Sequence, residues 1–173
     1  MTFQFRMATV DDASAVASIH NSAWAEAYRG VLPATYLNNL DAEREAARLI
    51  AGGFPHFPEG QGFTLLAEDA KPSPIGYLQG GPSRQLKGEG EVYAIYLAPA
   101  CWGTGLGQIL WQKGVAKLEE KGFSKFSVWV FAANGRARSF YERQGGVLRR
   151  DEKVKNYGGK VLTLVSYHYL LNN

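Results

Sequence analysis

Phe3, Phe5 and Met7 alternate with polar residues, which predicts a short opening strand. Asp11 or Asp12 can then cap a helix whose apolar stripe is Ala15, Val16, Ile19 and Ala23. Gly30 and Pro33 interrupt that stripe, and Pro33 predicts the start of a second helix through Leu37, Leu40, Ala46 and Leu49. Gly52 and Gly53 close it, and the Pro- and Gly-rich residues 54–62 read as loop. Strands are expected over residues 63–68 and 75–80, joined by a turn at Lys71-Pro72-Ser73-Pro74.

A loop over residues 81–90 leads to a β-prone strand at 91–97, ended by Pro99. Residues 105–121 carry Leu106, Ile109, Leu110, Trp111, Val115 and Leu118, an apolar arc wide enough for a largely buried helix, and Gly122 stops it. Both faces of residues 125–131 are apolar, as in a central strand covered on each side. A short helix over 134–144 ends at Gly145-Gly146. Two strands, 147–155 and 160–170, then flank a turn at Asn156-Tyr157-Gly158-Gly159. The order is one strand, two helices, three strands, helix, strand, helix, two strands. It predicts a mixed α/β (α+β) domain rather than regular βαβ repeats.

Composition narrows the class. The 173 residues fit one domain, with 46% hydrophobic and 20% charged residues as in globular proteins. No apolar run approaches the roughly 20 residues that span a bilayer, and residues 1–10 lack the apolar core of a signal peptide. The expectation is a cytoplasmic protein with no membrane partner. Cys101 is the only cysteine, so no internal disulfide forms, in keeping with a reducing compartment. The net charge of +3 is mild and interspersed, which argues against nucleic acid as a partner. His20, His56 and His168 show no metal-ligand spacing, and no metal is expected. Cys101 has no nearby histidine to activate it as a nucleophile.

The chemistry concentrates in two segments. Gly103-Thr104-Gly105-Leu106-Gly107 links a strand to a helix, and the free N–H groups and dipole at a helix start suit a phosphate or pyrophosphate. A Walker loop is excluded because Gln108-Ile109 follows Gly107 where Lys-Ser/Thr is required. The dinucleotide fingerprint also fails: the spacing is Gly-x-Gly-x-Gly, and no acidic residue stands about 20 positions on. A tight turn using glycine for packing alone stays open. In the second segment, Asn134, Arg138 and Tyr141 lie at i, i+4 and i+7 of one helix, so they share a face.

Together the two segments resemble the GNAT superfamily of acetyl-CoA-dependent N-acetyltransferases. The glycine turn, with Pro99 ahead of it, is similar to that superfamily's Gln/Arg-x-x-Gly-x-Gly/Ala motif, although Trp102 occupies the Gln/Arg position. Asn134 and the Phe140-Tyr141 pair before Gly145 are similar to its second motif. The resemblance implies a twisted, mostly antiparallel sheet of six or seven strands, with a splayed central parallel pair and helices on both faces. It implies acetyl-CoA as co-substrate and a primary amine as acceptor, attacking the thioester directly in a ternary complex. Carried over, Ile95, Tyr96 and Leu97 would pair with the pantetheine arm, and a backbone N–H there would polarise the thioester carbonyl. Trp102, Gly103, Thr104, Gly105, Leu106, Gly107 and Gln108 would cradle the pyrophosphate, and Asn134 would bond the pantetheine arm. Tyr141 would protonate the leaving thiolate, and Glu91 would deprotonate the amine directly or through water. Trp24, Tyr28 and Arg29 fall where such folds build the acceptor wall.

The acceptor is expected to be a small molecule, with a lean to polyamines. A protein N-terminus or lysine, and a non-catalytic acyl-CoA sensor, are the alternatives. Leu162, Leu164, Val165, Tyr167 and Tyr169 make the last hairpin unusually apolar, which predicts a homodimer through that end of the sheet.

Overall fold

The computed structural model describes residues 3–57, 60–70 and 73–171. The strands are β1 (Gln4–Met7), β2 (Phe63–Glu68), β3 (Pro74–Pro82), β4 (Gly90–Leu97), β5 (Lys125–Phe131), β6 (Val147–Tyr157) and β7 (Lys160–Leu170). The helices are α1 (Ala13–Ala27), α2 (Ala34–Asn38), α3 (Ala42–Ala51), α4 (Leu106–Glu120) and α5 (Gly135–Arg143). The strands form one seven-stranded sheet in the order β1-β2-β3-β4-β5-β7-β6. Every neighbouring pair is antiparallel except β4 with β5. No helix among the described residues is long and apolar enough to cross a membrane.

A separate hydrophobic cluster covers each face. On one face Leu106, Leu110, Trp111 and Leu118 of α4 pack on Leu65, Leu78, Val92, Phe126 and Val128. The helix comes close because Gly114 has no side chain: an added Cβ would lie 2.5 Å from Leu78 Cδ1. Burying each of these leucines stabilises the fold by roughly 1.5–3 kcal/mol. On the other face the small residues Ala13, Val16 and Ala17 of α1 seat that helix against Leu66 and Tyr77, with Ala46 of α3 beside them.

The central strand carries the decisive irregularity. Gln79 pairs with Ala94 but Gly80 pairs with Val92, so Tyr93 is an extra residue in β4. Such a bulge bends the strand and shifts its alternation by one. Val92 and Ile95, three apart, therefore both pack on the α4 side, while Ala94 and Tyr96 pack beneath α1 and α3. The parallel contact with β5 is confined to Gly90–Val92 against Phe126–Val128. Beyond it β4 continues to Leu97 and β5 to Phe131 without pairing with each other, and the sheet forks.

Three expectations need correction. The single helix from Pro33 to Leu49 is two helices: Pro33 lies extended before α2, and Asp41 caps α3 by accepting the Arg44 N–H at 3.0 Å. Asn and Asp compete for backbone hydrogen bonds, which breaks the run. The last turn is shorter than expected, since Asn156 and Tyr157 are paired and only Gly158-Gly159, both at positive φ, reverse the chain. The hairpin's apolar residues, Leu162, Leu164, Val165, Tyr167 and Tyr169, are all buried within this chain. Its exposed apolar residues are instead Val147, Leu148, Val154, Val161 and Leu170. Of the turn placed at residues 71–74, Lys71 and Pro72 lie outside the described residues, as do residues 58 and 59 of the loop at 54–62.

Candidate active site

The fork opens in front of the glycine turn. A 3-10 turn over Pro99–Cys101 carries the chain off β4, and the Trp102 indole N–H donates to the Leu97 carbonyl at 3.1 Å. Gly103 and Gly105 then adopt φ of +78° and +84°, a region that favours glycine. A Cβ at either would meet nothing within 4 Å, so the space before the turn is open. Gly107 has no such φ, and its Cβ would make ordinary contact with Leu97 Cδ1 at 3.5 Å, so only two of the three glycines are required by conformation. Gly105 is the N-cap of α4 with no side-chain cap, which leaves the positive end of a 15-residue helix facing that space. Leu106 is buried and Gln108 exposed, so Leu106 can offer a ligand only its backbone.

Trp102 also holds a charge. The Arg136 guanidinium, from the first turn of α5, lies 4.0 Å from its ring centroid. The pair spans the two lips of the fork and sets a cation beside the helix terminus. An anion is the matching ligand. No spacing rule links Trp102 to Arg136, so sequence reasoning had no means of finding the pair.

Ile95 and Leu97 direct their side chains toward α4, and Tyr96 directs its ring the other way, accepting from the Trp24 indole N–H at 2.9 Å. All three lie past Val92, so the β5-facing edge of their backbone has no ladder partner. Across the fork, Asn134 caps α5: its side-chain oxygen accepts the Ala137 N–H at 3.0 Å, and its amide donates to the Tyr28 hydroxyl at 3.2 Å. Burial pushes the Tyr28 phenol up to about 12 despite the Asn134 bond. Burial, with the Tyr169 and Tyr28 phenols nearby, holds Tyr141 well above the ordinary tyrosine range, and burial does the same for Tyr96. These hydroxyls keep their protons at neutral pH and can donate. Arg138 shares α5 with Tyr141 but donates to the Tyr167 hydroxyl at 3.1 Å and serves packing.

Glu91 is placed differently from the expectation. It lies in the closed half of the fork, opposite Ser127, and is 0% exposed. Its carboxylate accepts from the Arg84 backbone N–H at 3.0 Å, from Nε at 3.1 Å and from Nη2. A carboxylate so enclosed, with both oxygens on Arg84, is not placed to take a proton directly from an amine. Its observed work is to anchor Arg84.

Of the three residues expected at an acceptor wall, Trp24 and Tyr28 share an aromatic cluster: Trp24 packs on Tyr28 at 4.9 Å, His20 at 5.1 Å, Tyr157 at 5.4 Å and Phe131 at 5.8 Å. Arg29 stands outside it, its exposed guanidinium paired with Glu26 at 2.5 Å. His20 stands four residues before Trp24 on the same face of α1, whereas Phe131 and Tyr157 come from separate elements and nothing in their spacing announced them. Burial raises the Cys101 thiol, which suits a passive residue. Among the described residues no group of three or more His, Cys, Asp or Glu side chains could hold a metal ion.

A family model described as the acetyltransferase (GNAT) family matches residues 16–146. The N-acetyltransferase YuaI of Bacillus subtilis is 33% identical over 135 residues, which cover 75% of this chain and 72% of that protein. Mycothiol acetyltransferase of Renibacterium salmoninarum is 43% identical over 56 residues, 32% of this chain and 17% of that protein. The crystal structure of PaiA N-acetyltransferase from Thermoplasma acidophilum in complex with coenzyme A covers 98% of this chain, and 100% of that chain is covered. Its TM-score is 0.73 at 18% identity, a likeness of fold. An acetyltransferase of Salmonella typhimurium, yncA, solved with acetyl-CoA, gives a TM-score of 0.70 at 19% identity over 99% of this chain and 95% of that one.

Proposed function

Because the chain belongs to the GNAT acetyltransferase family, and is thus an acyltransferase, we propose that it moves an acetyl group from acetyl-CoA to a small-molecule amine, with both bound at once. The observation that carries this reading is the fork between β4 and β5, opening on the uncapped start of α4 with Arg136 beside it. An extended chain ending in a pyrophosphate fits such a space. The free backbone edge of Ile95, Tyr96 and Leu97 would hold the pantetheine arm as an added strand, and one of its N–H groups would polarise the thioester carbonyl. The backbone from Gly103 to Gln108 would cradle the pyrophosphate, aided by Arg136 where the family's Gln or Arg is replaced by Trp102. The amide of Asn134 retains a second N–H for the pantetheine arm.

Acetyl-CoA supplies the acetyl thioester as electrophile. The neutral amine gives its lone pair to the new C–N bond, and the C–S pair leaves on sulfur. The Tyr141 hydroxyl, kept protonated by burial, donates its proton to sulfur and recovers one from the amine nitrogen through water. The same reading takes the chain as one cytoplasmic domain that pairs with a second copy. The 11-residue edge strand β6, with Val147 and Val154 more than two-thirds exposed, is the surface for that pairing.

Acetyl-CoA binding by calorimetry, followed by thiol release with a panel of amines, tests the proposal. Tight binding and amine-dependent CoA release are expected. Binding without release would make the protein an acyl-CoA sensor, and release only with peptides would make it a protein acetyltransferase.

A further inference from the structure

On the premise of acetyl transfer at this fork, we infer that the acceptor is an amine carrying its own anionic group, of the α-amino-acid kind, held by Lys153 and Arg84 over Trp129. A polyamine is the wrong partner for this surface. Trp129 is the first β5 residue past Val128, the last position paired with β4, and its ring is partly exposed. Lys153 of β6 pairs with Leu164, which pairs with Phe131, so Lys153 rises from the same sheet face as Trp129 and Phe131. Its ammonium lies 3.6 Å from the Trp129 ring centroid. Glu152 pairs with Val165, which packs on the α4 side, and so leaves this face to the lysine.

Arg84 stands toward the closed half of the fork, paired with Glu91 and within electrostatic reach of Lys153. Its side chain is 43% exposed, and its guanidinium stands over the Tyr93 ring at 5.0 Å. The carboxylate beneath it, Glu91, is sealed from solvent, so a ligand arriving here meets the cations and not the anion. Lys153 lies within electrostatic reach of Glu91, Arg84 and Lys155; burial lowers its pKa, Glu91 opposes the fall, and the two cations add to it. Three cations share this corner with one buried carboxylate, a surplus that an incoming anion relieves. A polyamine would add like charge to it.

The acceptor's remaining atoms would lie against the aromatic wall. Tyr36 and Tyr157 meet there at 5.7 Å, both half-buried. A carboxylate held over Trp129 leaves the α-amine, two bonds away, at the point where β4 and β5 part.

The test is steady-state thiol release from acetyl-CoA with the twenty L-amino acids, spermidine, and the carboxamide and decarboxylated forms of the best amino acid. We expect kcat/KM for that amino acid to exceed the values for its carboxamide and for spermidine by at least about tenfold. Lys153→Glu should cut it by a further tenfold or more and change the decarboxylated amine by less than about threefold. Lys153→Met, which keeps the stem on Trp129, should show the same selectivity loss and serves if the Glu variant does not fold. Preference for spermidine or the decarboxylated amine, no acetylation of any amino acid, or an equal loss on every acceptor would each overturn the inference. Failure to bind acetyl-CoA in calorimetry would instead bring down the transferase reading, so the two failures are distinguishable.

Discussion

Protonating His20 is expected to loosen the aromatic cluster around Trp24 over a pH window of its own. The ring, on α1, is stacked on Trp24 at 5.1 Å and meets the edge of Tyr96 at 5.0 Å, with Nδ1 3.1 Å from the Tyr77 hydroxyl. Burial pushes its pKa from 6.5 down to about 4, with Arg48 adding to the fall and Glu45 opposing it. Between those values the unfolded chain carries a proton on His20 that the native protein refuses. Stability therefore rises with pH through the window and is lost on acidification. At about 1.4 kcal/mol per unit, the loss from pH 6.5 to 4 sums to about 3 kcal/mol. Asp12 acts lower: its hydrogen bond from Arg6 takes it from 3.8 to about 2, so its contribution fades only below about pH 4. Urea unfolding followed by tryptophan fluorescence at pH 7, 6, 5 and 4 reads the effect. The wild type should lose about 3 kcal/mol more than His20→Gln across that range. Parallel stability curves for the two proteins would refute the reasoning.

Tyr141→Phe should lower kcat by about 10- to 10³-fold, with little change in KM for acetyl-CoA or in Tm, because only a hydroxyl that bonds the departing sulfur is removed; wild-type kcat would end its assignment as proton donor. Gly105→Asp puts a negative charge at the start of α4 and should weaken acetyl-CoA binding by at least about tenfold, roughly 1.4 kcal/mol, in calorimetry. Light scattering at micromolar concentration should give twice the 19.0 kDa chain mass, falling to the single mass in Val154→Lys on the β6 edge; a wild-type protein of single mass would remove the dimer.

Local features were legible and distant ones were not. The glycine turn announced itself because its three glycines are contiguous with the start of α4, and the doubly apolar residues 125–131 read as a central strand for the same local reason. The break between α2 and α3 turned on one cap, Asp41, set within an apolar spacing that continued across it. Glu91 stood at the expected distance from Leu97, yet its availability depended on Arg84, which reaches it by folding back from the β3–β4 loop. The aromatic cluster is tertiary beyond α1: Trp24, Phe131 and Tyr157 meet from α1, β5 and β6, and Asn134 reaches Tyr28 across 106 positions. Alternation in a strand also assumes a regular ladder. The extra residue at Tyr93 breaks that assumption, so parity counted from Glu91 assigns the wrong face to everything downstream.

That extra residue makes β4 permissive in one respect and brittle in another. Ala94 and Tyr96 can be exchanged for other side chains to reshape what the α1 side accepts, while Ile95 and Leu97 keep their seats on the α4 side. In the proposed function, acceptor preference would then drift by point substitution without disturbing residues 103–107. A change of length does the opposite. Deleting one residue between Val92 and Ala94 would rotate the rest of the strand by half a turn, exchanging the two sets of side chains at a stroke and straightening the bend beside the fork. A lineage built on this strand can vary its letters freely but has to conserve their number.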